Sequence, residues 1–333
     1  MKSQQFHYVS VIALALTALV VGQFLTRSAL DTIIIALWFA YLCQTWNIIG
    51  GMAGQFSFAH PVYVAFGGYT STLLYLHWDL TPWLGMLIGA IGAMLCAALL
   101  CWINFRRQLP MLTYALITLA ITIIAVTILN TSDLLGGHEG LVIPRGNSPA
   151  NFRFADKKSF YYIALAAVTA MMFLTLMLRR SRFGIRLFAI RDNQDAARMI
   201  GVDVLKTSLL ASMLSAGLGA LAGTFYAQYI SVVDPSIAHV ELAVQIVLMT
   251  AVGGIGTTWG PLLGPLLLVP VERYLSREFV NLAGFGHLFY GLVIIVILLL
   301  LRDGVVSWMA SAIRSRIMGV KPRIGAKSQS MEK

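Results

Sequence analysis

Apolar residues run along this chain in blocks long enough to cross a bilayer, and polar residues are confined to the gaps between them. Hydrocarbon about 30 Å thick takes roughly 20 apolar residues per helix. Blocks of that kind fall near residues 8–25, 29–49, 60–77, 82–103, 110–130, 159–178, 205–230, 241–258, 260–275 and 284–301, and so predict about ten membrane-spanning helices. The first block has only Lys2 before it and no clear small-x-small cleavage site, so it reads as a span and not as a signal peptide. One long polar passage interrupts the blocks, Ser181 to Gly201, with Arg182, Arg186, Arg191 and Arg198 set against Asp192 and Asp195. Asp192 and Asn193 are candidate caps for a short helix from about Gln194 to Ile200, which Gly201 ends in the left-handed conformation that glycine adopts cheaply. Two turns of helix measure roughly 10 Å. That is a knob between spans, of a size that a soluble partner can grip.

Composition changes the picture only by removing rivals. Hydrophobic residues make up 58% of the 333 and charged residues 11%, with a mean hydropathy of +0.79. Soluble domains carry about 25% charged residues, so the chain reads as an all-α integral membrane protein. A net charge of +10 in a soluble protein would point to nucleic acid. Here the charge sits in short loops and a tail, where membrane orientation accounts for it and no nucleic-acid partner is implied. With both termini inside, 17 of the 24 Lys and Arg fall on inner segments, which places the 179–206 loop in the cytoplasm. Residues 1–303 then form a transmembrane domain and 304–333 a basic cytoplasmic tail, disordered by composition. Cys43, Cys96 and Cys101 all lie in apolar runs and read as buried thiols.

Two passages break the apolar pattern. Asn47, Gly50, Gly51, Gly54, Gln55, Ser57, His60 and Pro61 stand where a plain span would be uniformly apolar. Gly253, Gly254, Gly256, Gly260 and Pro261 interrupt the second half in the same way. Irregular backbone at membrane depth survives only where protein or a water-filled cavity satisfies its amides. Both passages therefore fit discontinuous helices lining a route for solute, although close helix packing uses the same residues. His60 suits a hydrogen-bonded packing role better than a proton relay. Gln44, Asn47, Gln228 and Gln245 serve equally well as helix-to-helix glue. Gly219-x-x-x-Gly223 predicts a span packed closely on a neighbour. His138 and Glu139, in the outer loop 131–158, read as turn residues.

No catalytic constellation or metal-ligand spacing occurs in the sequence, and Gly319 to Ser328 only approaches a phosphate-binding loop. Active transport would need ATP hydrolysis from other chains, so no cofactor belongs to this one. No acidic residue at mid-span suits a proton- or sodium-driven carrier; Asp31 and the Glu272/Arg273 pair lie near span edges.

The order Asp195-Ala196-Ala197, three residues, Gly201 resembles the E-A-A-x-x-x-G loop of ABC importer permeases. The longer run through Phe183-Gly184 and Ala189-Ile190-Arg191-Asp192-Asn193 is similar to the branched-chain amino acid permeases, the LivHM family, in its LivM form. Asn47 to Ser57, Gly136 to Leu141 and Gly253 to Gly260 resemble that family's glycine-rich segments. Two departures are Asp195 in place of Glu and Ala211-Ser212-Met213-Leu214 in place of the I-x-L-P tail. The resemblance implies an ATP-driven importer of apolar amino acids in a bacterial inner membrane. It implies a second, related permease in a heterodimer, two ATP-binding subunits inside and a periplasmic solute-binding protein outside. By the same resemblance, Gly184, Arg191, Asp195, Ala196, Ala197 and Gly201 couple the chain to the ATPase, as a cytoplasmic coupling helix. A urea or short-amide permease shares the architecture. An ATP-independent channel or carrier is the rival from another class, and a structural anchor is a third.

Overall fold

The computed structural model describes residues 2–107, 109–144 and 146–278, with scattered positions between 291 and 308. Helices stand at each of the first nine apolar blocks. They are α1 (Lys2–Phe24), α2 (Arg27–Trp46), α3 (His60–Trp78), α4 (Pro82–Arg107), α5 (Met111–Thr131) and α6 (Lys157–Arg180). Two short helices, α7 (Arg182–Asp192) and α8 (Gln194–Met199), follow before α9 (Val204–Ile230), α10 (Val240–Gly253) and α11 (Gly260–Glu278). Five of the apolar helices are long enough to cross a bilayer: α2 with its extension to Met52, α4, α5, α6 and α9. The other four expected spans are shorter or less apolar helices, and the block at 284–301 falls largely outside the described residues. Of the tail, only Gly304 to Val306 and Trp308 are described.

Caps explain where the helices begin. Asp156, Ser181, Asn193 and Asp203 each accept from a backbone N–H of the first turn of α6, α7, α8 and α9. Lys206 completes the last of these, its backbone N–H and ammonium both meeting Asp203 and holding that carboxyl below the usual carboxylate range. Asn193 alone caps α8, through Asp195 N and Ala196 N at 3.0 Å. Asp192, expected to share that role, is instead the last residue of α7.

α2 is the central mast. Its most apolar window is 89% buried, against 28% for α4 and for α5, and it packs on α6, α9, α10 and α11. α4 and α5 turn Leu84, Leu87, Ile91, Leu95, Leu116 and Ile123 outward, the apolar coat that a bilayer requires. α3, α4 and α9 form a second tightly packed group. There α9 meets α3 backbone to backbone at Gly223, where an added Cβ would overlap the Val64 carbonyl oxygen. At Gly219 the nearest atom to such a Cβ is 3.7 Å away, so only one member of the small-residue pair makes close contact.

The segment between α5 and α6 is folded, not loose. Leu141–Val142 (β1) pairs antiparallel with Val232–Val233 (β2), and the Trp83 indole stacks on Phe152 at 4.1 Å while donating to the Pro149 carbonyl. His138 and Glu139 occupy a 3-10 turn, as their setting predicts. Cys43 and Cys101 are buried, Cys96 is half-buried, and all three are free thiols.

Candidate functional site

The two glycine-rich breaks, about 200 residues apart in sequence, come together beside α7. α2 does not end cleanly at Trp46. It loosens into a π-helical stretch, Asn47–Met52, before an irregular run leads to α3, which starts with Pro61 in its first turn. The Asn47 side chain donates to the Thr257 carbonyl at 3.0 Å and accepts from the Gly256 N–H at 2.7 Å. Asn47 is therefore the tie between the breaks, and both groups it satisfies belong to the backbone. Nearby, the Gln44 amide donates to the Thr258 carbonyl and accepts from the Thr175 hydroxyl. The glue reading of both residues is what the geometry carries.

The glycines fill a tight space. A Cβ at Gly51 would strike the Asn47 side chain and come within 2.7 Å of Gly256 N. One at Gly253 would overlap the Gly260 carbonyl, and one at Gly50 the Trp46 indole. Gly54 and Gly256 have φ of +70° and +75°, and an added Cβ at either would meet Arg191. Gly254, at φ +123°, accepts from the Thr257 hydroxyl at 2.8 Å. Within the single chain these positions face protein and form a packed joint.

Gln55, Ser57 and His60 are all buried on the run leading into α3. His60 Nε2 lies 3.4 Å from both the Thr45 and Ser215 hydroxyls, while its Nδ1 has no partner. Both amide atoms of Gln55 are buried and unpartnered as well. Trp46 Nε1 donates to the Ser57 carbonyl at 2.9 Å, and Thr118 and Thr122 hold the Phe58 amide and carbonyl. The irregular backbone is thus satisfied by neighbours, while two side chains keep spare polar atoms.

The polar passage folds as two helices, not one. α7 buries Gly184, Leu187 and Ile190, and Gly184 packs so closely on Leu178 and Arg179 that no side chain fits there. Ala197 is buried with Ile190 and Val204 in a small core that seats α8 on the bundle. Asp195 and Ala196 stay exposed, and Gly201 turns the chain at φ +85° with open space around it. Met199 and Ile200, which sequence reasoning passed over, are 89% and 76% exposed. They stand beside an open groove of about 630 Å³ lined by Trp102, Phe105, Arg106, Arg198 and Val202. Arg191 behaves differently from its neighbours. Its Nη1 donates to the Gly51 carbonyl at 2.6 Å, so it points back into the joint.

At the opposite end, a polar cavity of about 810 Å³ is lined by Asp31, Arg153, Lys157, Gln228, Tyr229 and Arg273. Asp31 accepts from Lys157 at 2.7 Å and from the Tyr229 hydroxyl at 2.6 Å. Half of the Lys157 side chain is in the open, so the pair contributes at most about 1 kcal/mol. Asp31→Asn, which keeps an acceptor for Tyr229, is expected to lower thermal stability in detergent by no more than that. A thermal melt of the solubilised protein checks it.

A family model described as "Branched-chain amino acid transport system / permease component" matches residues 28–299. The chain belongs to that family. It is 25% identical over 288 residues to the branched-chain amino acid permease protein LivH of Salmonella typhimurium, covering 81% of this chain and 91% of that one. It is equally 25% identical over 293 residues to the LivM protein of Escherichia coli, covering 81% and 68%. A probable LivH from Methanocaldococcus jannaschii is 26% identical over 258 residues, covering 73% and 79%. No solved structure matches the chain. A permease of this family is a membrane transport subunit. The LivM-like run around α7 and α8 does not set it apart from LivH, since both kinds of relative match equally well.

Proposed function

We propose that this permease is one membrane subunit of an ATP-driven importer for branched-chain or similar apolar amino acids in a bacterial inner membrane. Its termini lie in the cytoplasm, it pairs with a second, related permease, and two ATP-binding subunits grip it from inside. A periplasmic solute-binding protein delivers solute at the outer face, over the cavity around Asp31 and Arg273. The chain needs no cofactor of its own, because the partner subunits hydrolyse the ATP. The observation that carries this reading is α8. It is a firmly capped, firmly seated helix at the end of the bundle, and it presents Met199 and Ile200 bare. On a helix that also exposes Gln194, Asp195 and Arg198, large apolar side chains at that exposure fit a protein contact better than the lipid coat of α4 and α5.

In this reading Asp195, Ala196 and Gly201 shape the docking knob, and Ala197 and Gly184 hold it in place. The uncharged polar atoms of Gln55, Ser57 and His60 face the solute route once the second permease is present, next to the glycine joint at 50–54 and 253–256. Met199→Asp with Ile200→Asp is expected to leave the protein in the membrane, yet cut leucine uptake in vesicles more than about tenfold and release the ATP-binding subunits on purification. Loss of an apolar anchor buried in an interface commonly costs that much. Normal uptake in this variant would refute the docking role, and uptake of urea but not leucine would reassign the solute.

A further inference from the structure

Arg179 and Arg191 occupy positions that the docking role of α8 does not explain. Arg179 is at the end of α6 and Arg191 at the end of α7, so they bracket α7. Arg179 Nη1 donates to the Gly256 carbonyl, and its guanidinium lies over the Phe188 ring of α7 at 5.1 Å. Arg191 Nη1 donates to the Gly51 carbonyl. Asn47 joins Gly256 to the first break through the Gly256 N–H. The contacts close a ring: α7, Arg191, the first break, Asn47, the second break, Arg179, and back to α7. No rigid displacement of α7 leaves that ring intact unless both breaks move with it.

Chemistry makes the ring firm but releasable. A charged donor on a neutral carbonyl is stronger than an ordinary amide bond. Yet both guanidiniums sit beside Gly256, and among the described residues neither has a carboxylate partner. Two like charges held close, with no counter-ion, repel one another. The side chains also bond to backbone, which the surrounding segments can withdraw by rotating at glycine.

We propose that Arg179 and Arg191 are positioning residues that gear the α7–α8 pair to both broken helices at once. They act as a latch that transmits displacement of α8 into opening of the joint. This rests on the importer reading above, and it adds which atoms pass the motion on. The test uses the complete complex, purified with its ATP-binding subunits and second permease, reconstituted in liposomes and supplied with its binding protein and radiolabelled leucine. Arg191→Gln and Arg179→Gln are each expected to assemble and to keep ATP hydrolysis within about twofold. Leucine moved per ATP should fall about tenfold, the scale of one charged hydrogen bond. Arg191→Lys, which restores a single charged donor, should recover part of the ratio.

A fall in uptake matched by an equal fall in hydrolysis would mean a merely structural role and would overturn the latch. So would an unchanged ratio in both Gln variants. Should the Gln variants fail to assemble, the Arg191→Lys and Arg179→Lys complexes decide: a reduced ratio supports the latch, and a wild-type ratio overturns it. If the unsubstituted complex moves leucine without ATP, the importer reading falls and the latch with it. ATP-driven uptake by the parent with fully coupled variants sinks the latch alone.

Discussion

Gly223→Val is expected to abolish accumulation of folded protein in the membrane, and Gly223→Ala to reduce it severely. The Cβ of any substituent would overlap the Val64 carbonyl oxygen and lie 2.9 Å from Gly68 N. Both are backbone atoms of α3, so no rotamer relieves the clash and the helices must part. Parting them breaks the bond that Thr224 donates to the Gly67 carbonyl across the same seam, and displacing α9 also strains the bonds that Trp38 and Tyr41 of α2 donate to the Ala222 and Leu218 carbonyls. Overpacking alone costs about 1–3 kcal/mol where side chains can adjust, and more where they cannot. Gly67→Ala should behave alike, since its Cβ would strike the Ala220 carbonyl. Gly219→Ala should be tolerated, its nearest neighbour being the His60 ring at 3.7 Å. Gly92→Ala should be tolerated too, because only the Phe66 ring at 3.3 Å must yield. Size-exclusion profiles of detergent extracts would separate the disruptive variants from the tolerated ones, and a monodisperse Gly223→Val protein would contradict the packing account.

Asn47→Leu carries the next largest effect. Leucine matches the side chain in shape and bonds neither partner, so the Gly256 N–H and Thr257 carbonyl are left unmet at a buried site. Each orphaned group costs about 1–3 kcal/mol, for a total of roughly 2–6 kcal/mol. Removing the tie also frees one break from the other. The expected protein reaches the membrane, melts well below the parent and transports nothing. Asn47→Asp keeps the acceptor for Gly256 and sets its charge beside Arg179 and Arg191, but it loses the donor to Thr257, so it should recover only part of the loss. A parent-like melting temperature in Asn47→Leu would show that the tie is dispensable.

What could be read from sequence follows the range of the forces involved. Hydropathy is a local property, and it placed helices at nine blocks within a few residues of their ends. Capping is local too, which is why Asn193 and Gly201 bound the predicted knob. The glycine breaks were visible because glycine and proline are rare choices in a span. Their meeting was not visible, because Asn47 and Arg191 bond to carbonyls and amides, which every residue carries alike. α7 escaped notice for another reason. Its buried face is only Gly184, Leu187 and Ile190, spaced among Arg182, Arg186 and Arg191, so charge masks the helical period. β1 and β2, two residues each, are too short to leave an alternating pattern.

The position of the first break within the bundle has a further effect. The helix that comes apart is α2, the one most enclosed by its neighbours, so acyl chains never touch the loosened turn. Lipids of different length or fluidity can press on α4 and α5, but the loosened turn is held by hydrogen bonds inside the protein. If the proposed latch works this joint, its chemistry stays the same whichever membrane surrounds the protein.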